Sequence, residues 1–149
     1  MNHFILTPLS TVQKLMAANF TGTFLFSREA AKIMMKNKWG RIINFSTVAV
    51  PLHLEGEAVY ASMKSAVETS TKIMAKELAK FNITCNAIGP APVETDLIKN
   101  VPKEKIDKIV NLLSLNRLCT WEDIVHVVDF FISESSSYVT GQVVYLGGV

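Results

Sequence analysis

From Leu9 to Lys36 the apolar residues Val12, Leu15, Met16, Phe20, Phe24, Ala31 and Met34 recur at steps of mostly three and four, with good helix formers between them. A repeat near 3.6 residues belongs to a helix with one face toward a core, so the spacing predicts one long helix. Asn37 to Gly40 reads as its stop, and Arg41-Ile-Ile-Asn-Phe45 follows as a short β-rich run without alternation. That pattern suits a strand buried on both faces. Loop composition from Thr47 to Glu57, around Pro51 and Gly56, leads to a second helix from about Glu57 to Lys80, with Met63, Val67, Met74 and Leu78 along one face. The next strand is Ile83 to Ile88, closed by Gly89-Pro90. Strand, long helix and strand form a crossover unit, which is parallel and right-handed almost without exception. Gly89 to Val101 is irregular, and helix resumes at Pro102, a favoured first-turn residue. Thr120 reads as an N-cap with acids in the first turn, ahead of Ile124, Val127, Val128 and Phe131 at helical spacing. A last strand runs from Val143 to Leu146. No internal repeat or linker interrupts the chain, so residues 1–149 are expected to form a single α/β domain.

Composition narrows the functional classes. The 149 residues are 49% apolar and 19% charged, too hydrophobic for a chain that stays disordered. Fifteen Lys and Arg against thirteen Asp and Glu leave a formal charge of +2, with the signs interleaved, which argues against a nucleic-acid partner. Cys85 and Cys119 lie outside any Cys-x-x-Cys or Cys/His cluster, so neither a disulfide framework nor a metal site is expected. Met1 to Thr7 has no basic start followed by an apolar run, and nowhere is there the stretch of about 18 apolar residues that spans a bilayer. The expectation is a soluble, cytoplasmic protein.

Tyr60 and Lys64, four apart near the start of the second helix, share one face. A nearby cation favours a phenolate and draws a tyrosine, whose ordinary value is about 10, toward the working range of a general base. In an open parallel sheet, ligands bind beyond the carboxyl ends of the strands. Ser46 and Thr47 follow the first strand, Gly89-Pro90 follow the second, and the helix carrying Tyr60 and Lys64 begins at that same edge. Four polar features therefore converge on one end of the sheet.

With these residues in hand, the chain from about Ala18 to Val149 resembles the short-chain dehydrogenases/reductases. Ala18-Asn-Phe-Thr-Gly-Thr-Phe24 is similar to the family's helix with an active-site asparagine, here Asn19. Gly40 to Ser46 resembles the strand that leads to the catalytic hydroxyl, and Tyr60-Ala-Ser-Met-Lys64 matches the Y-x-x-x-K signature. Asn86-Ala-Ile-Gly-Pro90 resembles the N-x-V-x-P segment of the nicotinamide site, and Tyr138 to Gln142 the closing motif. The resemblance implies a Rossmann-like doubly wound parallel sheet and hydride transfer between NAD or NADP and a carbonyl or alcohol. Tyr60 would exchange the substrate proton, Lys64 would hold the nicotinamide ribose, Thr47 or Ser46 would bond the substrate oxygen, and Asn19 would support a water in the proton relay. Pro90, Val93 and Thr95 would meet the nicotinamide.

The sequence departs from the family in three places. Thirteen residues before Tyr60 stands Thr47 rather than serine, with Ser46 beside it as the alternative. Ala91 follows Pro90 where the family has glycine. No pair of glycines is spaced to open a helix around a pyrophosphate, so the first strands of the family's fold are expected to be missing and cofactor binding by the chain alone is doubtful. Two functions follow: the catalytic half of an NAD(P)-dependent oxidoreductase, or a non-enzymatic relic serving as a dimerisation module, because the resemblance implies that the two long helices pack against a partner subunit. A homo-oligomer is expected either way, since a short sheet leaves an unpaired edge. Ala91 to Pro102, with Leu97 and Ile98, resembles the family's substrate lid and points to an apolar substrate.

Overall fold

A computed structural model describes residues 3–99 and 101–149, with the side chain of Leu97 outside the described set. Three strands, β1 (Gly40–Phe45), β2 (Ile83–Gly89) and β3 (Val143–Tyr145), form one parallel sheet in the order β1-β2-β3. The helices are α1 (Leu9–Met16), α2 (Gly22–Asn37), α3 (Ala49–Leu52), α4 (Ala58–Leu78), α5 (Asp96–Lys99), α6 (Lys103–Val110) and α7 (Trp121–Ile132). The expected α/β, Rossmann-like parallel arrangement is present. Register pairs Gly40 with Ile83 through Phe45 with Ile88, and Ala87 with Val143 through Gly89 with Tyr145.

The long first helix is present but not uniform. A turn of π-helix, Ala17–Thr21, joins α1 to α2. Such turns recur at functional sites, because the extra residue re-aims the side chains that follow. At the far end, Lys38 takes the left-handed conformation that stops α2. The 57–80 helix is α4 followed by a 3₁₀ turn, Ala79–Phe81, and the expected 47–57 loop contains the short helix α3.

The sheet's burial differs from the sequence expectation in one strand. Every residue of β2 is buried, as befits a central parallel strand. In β1, Gly40, Ile42 and Asn44 are buried while Arg41, Ile43 and Phe45 are not, because β1 lies at the edge of the sheet. Ile42 packs with Ala31, Ala75, Ile83 and Cys85 between the sheet and helices α2 and α4. A second cluster, Val48, Ala91, Leu113, Cys119 and Ile124, gathers beneath the loops at the carboxyl edge of the strands.

Buried polar groups tie these layers. Ser27 donates to Asn44 Oδ1 at 3.1 Å, Asn44 donates to Thr71 Oγ1 at 2.9 Å, and Thr71 donates to the Val67 carbonyl at 2.7 Å, a chain that crosses α2, β1 and α4. Asn86 donates to the Val139 carbonyl and accepts from the Gln142 amide, so the segment before β3 is clamped to β2. Thr120 caps α7 in a reciprocal capping box with Asp123, as its position predicts. Cys85 and Cys119 are buried free thiols, and burial pushes Cys85 up to about 12. No helix among the described residues is long and apolar enough to cross a membrane.

Candidate active site

Beyond Phe45 the pairing of β1 with β2 continues: the Ser46 amide donates to the Ile88 carbonyl at 2.7 Å and the Val48 amide to the Pro90 carbonyl at 3.2 Å. Those two bonds fix Ser46 and Thr47 beside Gly89, Pro90 and Ala91. A cavity of about 600 Å³ opens at this edge, lined by Ser46, Thr47, Tyr60, Pro90, Val93 and Thr95 together with apolar side chains that include Leu15, Val101 and Trp121. Six of the eight predicted site residues thus share one cavity. Such a largely apolar concavity with a few convergent polar groups is the usual form of a small-molecule site.

The two candidate hydroxyls face different partners. Ser46 is buried and its hydroxyl donates to Glu68 Oε1, which also accepts from the Tyr145 hydroxyl at 2.7 Å. Thr47 accepts from the Ala49 amide at 3.2 Å and lies near enough to the Tyr60 phenol to draw its pKa down. The hydroxyl turned to Tyr60 is therefore that of Thr47, while Ser46 is engaged inside the fold.

Lys64 is half-buried, donates from Nζ to the Phe45 carbonyl at 2.9 Å and lies 5.8 Å from the centroid of the Tyr60 ring. The expected depression of the tyrosine by its lysine is not what the chain's own groups produce. Burial, the largest influence, pushes the Tyr60 phenol above its ordinary value, the Thr47 hydroxyl draws it down, and the Glu57 carboxylate raises it. Burial lowers Lys64 for the same reason, since an apolar surround disfavours whichever form is charged.

Asn19 sits in the π turn, where its Nδ2 donates to the Leu15 carbonyl at 3.1 Å and its own carbonyl accepts from Thr23. It is not among the residues that line the cavity. Ala91 is buried and has no positive φ, so its methyl is carried without backbone strain. Ile98 lines the cavity from α5; the Leu97 side chain falls outside the described residues.

Sequence reasoning passed over Glu57, Glu68, Thr7 and Thr11. Glu57 lines the cavity one turn before Tyr60, Thr7 and Thr11 line it from the start of the chain, and Glu68 lies two turns beyond Tyr60. The signal for the two acids was in the spacing, because residues 57, 60, 64 and 68 fall on one helical face.

The family model described as enoyl-(acyl carrier protein) reductase matches residues 1–148. The chain belongs to the short-chain dehydrogenase/reductase family. Among short-chain dehydrogenases/reductases, the 3-oxoacyl-(acyl-carrier-protein) reductase of Aquifex aeolicus is 34% identical over 145 residues, 97% of this chain and 58% of that protein. Human (3R)-3-hydroxyacyl-CoA dehydrogenase is 35% identical over 136 residues, 91% of this chain and 52% of that protein. A crystal structure of a protein assigned as a gluconate dehydrogenase from Agrobacterium tumefaciens superposes with a TM-score of 0.88 at 30% identity, over 99% of this chain and 59% of that one. The chain thus spans about half the length of the short-chain dehydrogenases/reductases it matches.

Proposed function

We propose that this chain carries the catalytic residues of an NAD(P)-dependent oxidoreductase that interconverts a carbonyl compound and its alcohol. One observation supports the reading above the rest: Thr47, Tyr60 and the 90–95 segment, separated in sequence, line one cavity at the carboxyl edge of a parallel sheet. The relatives' names agree, since one is an oxoacyl reductase and another a hydroxyacyl dehydrogenase.

The residues present fit one end of the cofactor. Pro90, Val93 and Thr95 line the cavity near Tyr60, Lys64 lies one turn away, and Lys64 has donors beyond the one given to Phe45. Among the described residues no helix opens on closely spaced glycines, so a pyrophosphate finds no cradle. The nicotinamide, when bound, supplies or accepts the hydride. Tyr60, kept neutral by burial, donates its phenolic proton to the substrate oxygen in reduction and recovers one from the alcohol in oxidation. Thr47 Oγ1 hydrogen-bonds the same oxygen and fixes the carbonyl plane, and Lys64 would hold the ribose hydroxyls. Asn19, outside the cavity lining, would act through a water rather than on substrate.

A cytoplasmic setting accords with the two free buried thiols. The second reading, an association module, is favoured by the apolar side chains left on α2, where Phe26 is 83% and Ile33 64% exposed. The experiment that separates the two is a titration of the purified chain with NADH and NADPH, followed by nicotinamide fluorescence, with and without a carbonyl acceptor. Saturable enhancement below millimolar cofactor supports the oxidoreductase; a flat response at millimolar cofactor leaves the association module.

A further inference from the structure

Among the described residues that line the cavity, Glu57 is the only carboxylate, and no lysine, arginine or histidine accompanies it. It stands at the N-cap of α4, one turn before Tyr60, with its amide bonded to the Leu54 carbonyl and its carbonyl accepting from the Ala61 amide. Its carboxylate has no ion-pair or hydrogen-bond partner among the described residues, and it is near enough to bear on the Tyr60 phenol. Lys105 acts on it more weakly than burial does. From this we infer that Glu57 sets the charge of the substrate: the cavity takes an uncharged, apolar carbonyl or alcohol compound and rejects one with a carboxylate beside the reacting carbon.

A substrate whose reacting oxygen meets Tyr60 and Thr47 shares its cavity with the Glu57 carboxylate, which lies one turn before Tyr60 and bears on its phenol. Two like charges so confined repel strongly in a partly desolvated site, where the effective dielectric is about 20 rather than that of water. An anion would also give up hydration to walls with no cationic side chain among the described lining residues, the nearby Lys64 lying outside that lining and bonded to the Phe45 carbonyl. A neutral ester or ketone incurs neither cost, and its apolar body fits walls made by Leu15, Val101, Ile109 and Ile124.

The inference deepens the oxidoreductase reading, yet its test does not depend on turnover. Dissociation constants of methyl benzoylformate and benzoylformate, a neutral and an anionic form of one ketone, are measured on the whole chain at pH 7.5 by protein-observed NMR. The ester is expected to bind at least about tenfold tighter than the acid. Glu57→Gln is expected to bring the two within about threefold of each other, and Glu55→Gln, an exposed acid outside this cavity, is expected to leave the gap unchanged. Equal binding of the two compounds, binding of neither, or an undiminished gap in folded Glu57→Gln would each overturn the inference. A persistent gap without any NAD(P)H response would instead count against the oxidoreductase reading alone.

Discussion

At the scale of single residues, the proposed chemistry rests on one phenol and one hydroxyl, those of Tyr60 and Thr47. Tyr60→Phe removes the one phenol among the described lining residues, the group proposed as general acid, and turnover is expected to fall at least about 100-fold, the lower range for loss of general acid catalysis. Steady-state rates in whatever assembly is active check this, and unchanged rates would place the proton donor elsewhere. Thr47→Ser keeps an oxygen at that place and should retain most activity, whereas Ser46→Ala strips a buried donor from Glu68 and should show itself in stability rather than in KM. The phenol's own titration has a definite sign. Burial raises Tyr60, so in the chain without cofactor it should ionise at higher pH than an ordinary tyrosine. The ultraviolet difference titration of wild type against Tyr60→Phe isolates this step from Tyr138 and Tyr145; a midpoint near neutrality would refute it. The identity of these residues was legible from the spacing of Tyr60 and Lys64 and from their place after β1. Their depth was not, because burial depends on which distant segments fold over the helix start, here those carrying Thr7, Thr11 and Leu15 and, much later in the chain, Pro90, Val93, Ile98 and Val101.

At the scale of elements, the two long helices and the three strands were legible because each carries its own periodic pattern and a local stop. The N-terminus of α7 was legible because a capping box is made within four residues. The π turn at 17–21 was not, since one residue's slip in hydrogen bonding leaves the apolar repeat almost unchanged. The alternating burial of β1 was not either, because a strand's place at the centre or edge of a sheet is settled by distant partners. Two predictions belong here. Thr71→Val leaves Asn44 Nδ2 without its acceptor between α2 and α4, and should cost about 1–3 kcal/mol, the usual cost of a stranded buried polar group, seen as a lower urea midpoint at unchanged slope. At the start of α7, the Arg117 guanidinium, bonded to Asp123 at 2.6 and 2.9 Å, holds that carboxyl well below its usual range. A lowered carboxyl stabilises the fold above the unfolded value and loses that contribution as pH falls through the carboxylate range. Wild type should therefore exceed Arg117→Met in stability near neutrality, and the gap should begin to narrow only as pH falls below about 4, the ordinary carboxyl value, and go on narrowing at lower pH; a gap independent of pH would show that Arg117 acts through packing alone.

At the scale of the whole molecule, what matters is how much apolar surface three strands leave uncovered. On α2, Phe26 and Ile33 are seven residues apart on one face and 83% and 64% exposed, and Ile73 on α4 is 51% exposed. Phe45, with Trp39 just before β1, adds 44% and 45% exposure at the edge of the sheet. Single exposed apolar side chains are ordinary, but large ones repeated along a helix are a surface for association. A parallel edge strand presents unpaired backbone groups as well. The chain, at 16.5 kDa, is therefore expected to elute with a light-scattering mass of a dimer or more at tens of micromolar. Phe26→Lys and Ile33→Lys together charge the α2 face without touching the cavity, so they should return the mass toward 16.5 kDa if that face carries the contact. If the mass stays high in the double variant, association runs through the β1 edge instead, and Phe45 and Trp39 are the next residues to change. A monodisperse wild-type monomer would show that these side chains are stably solvated, and with it the association reading would lose the observation that favours it.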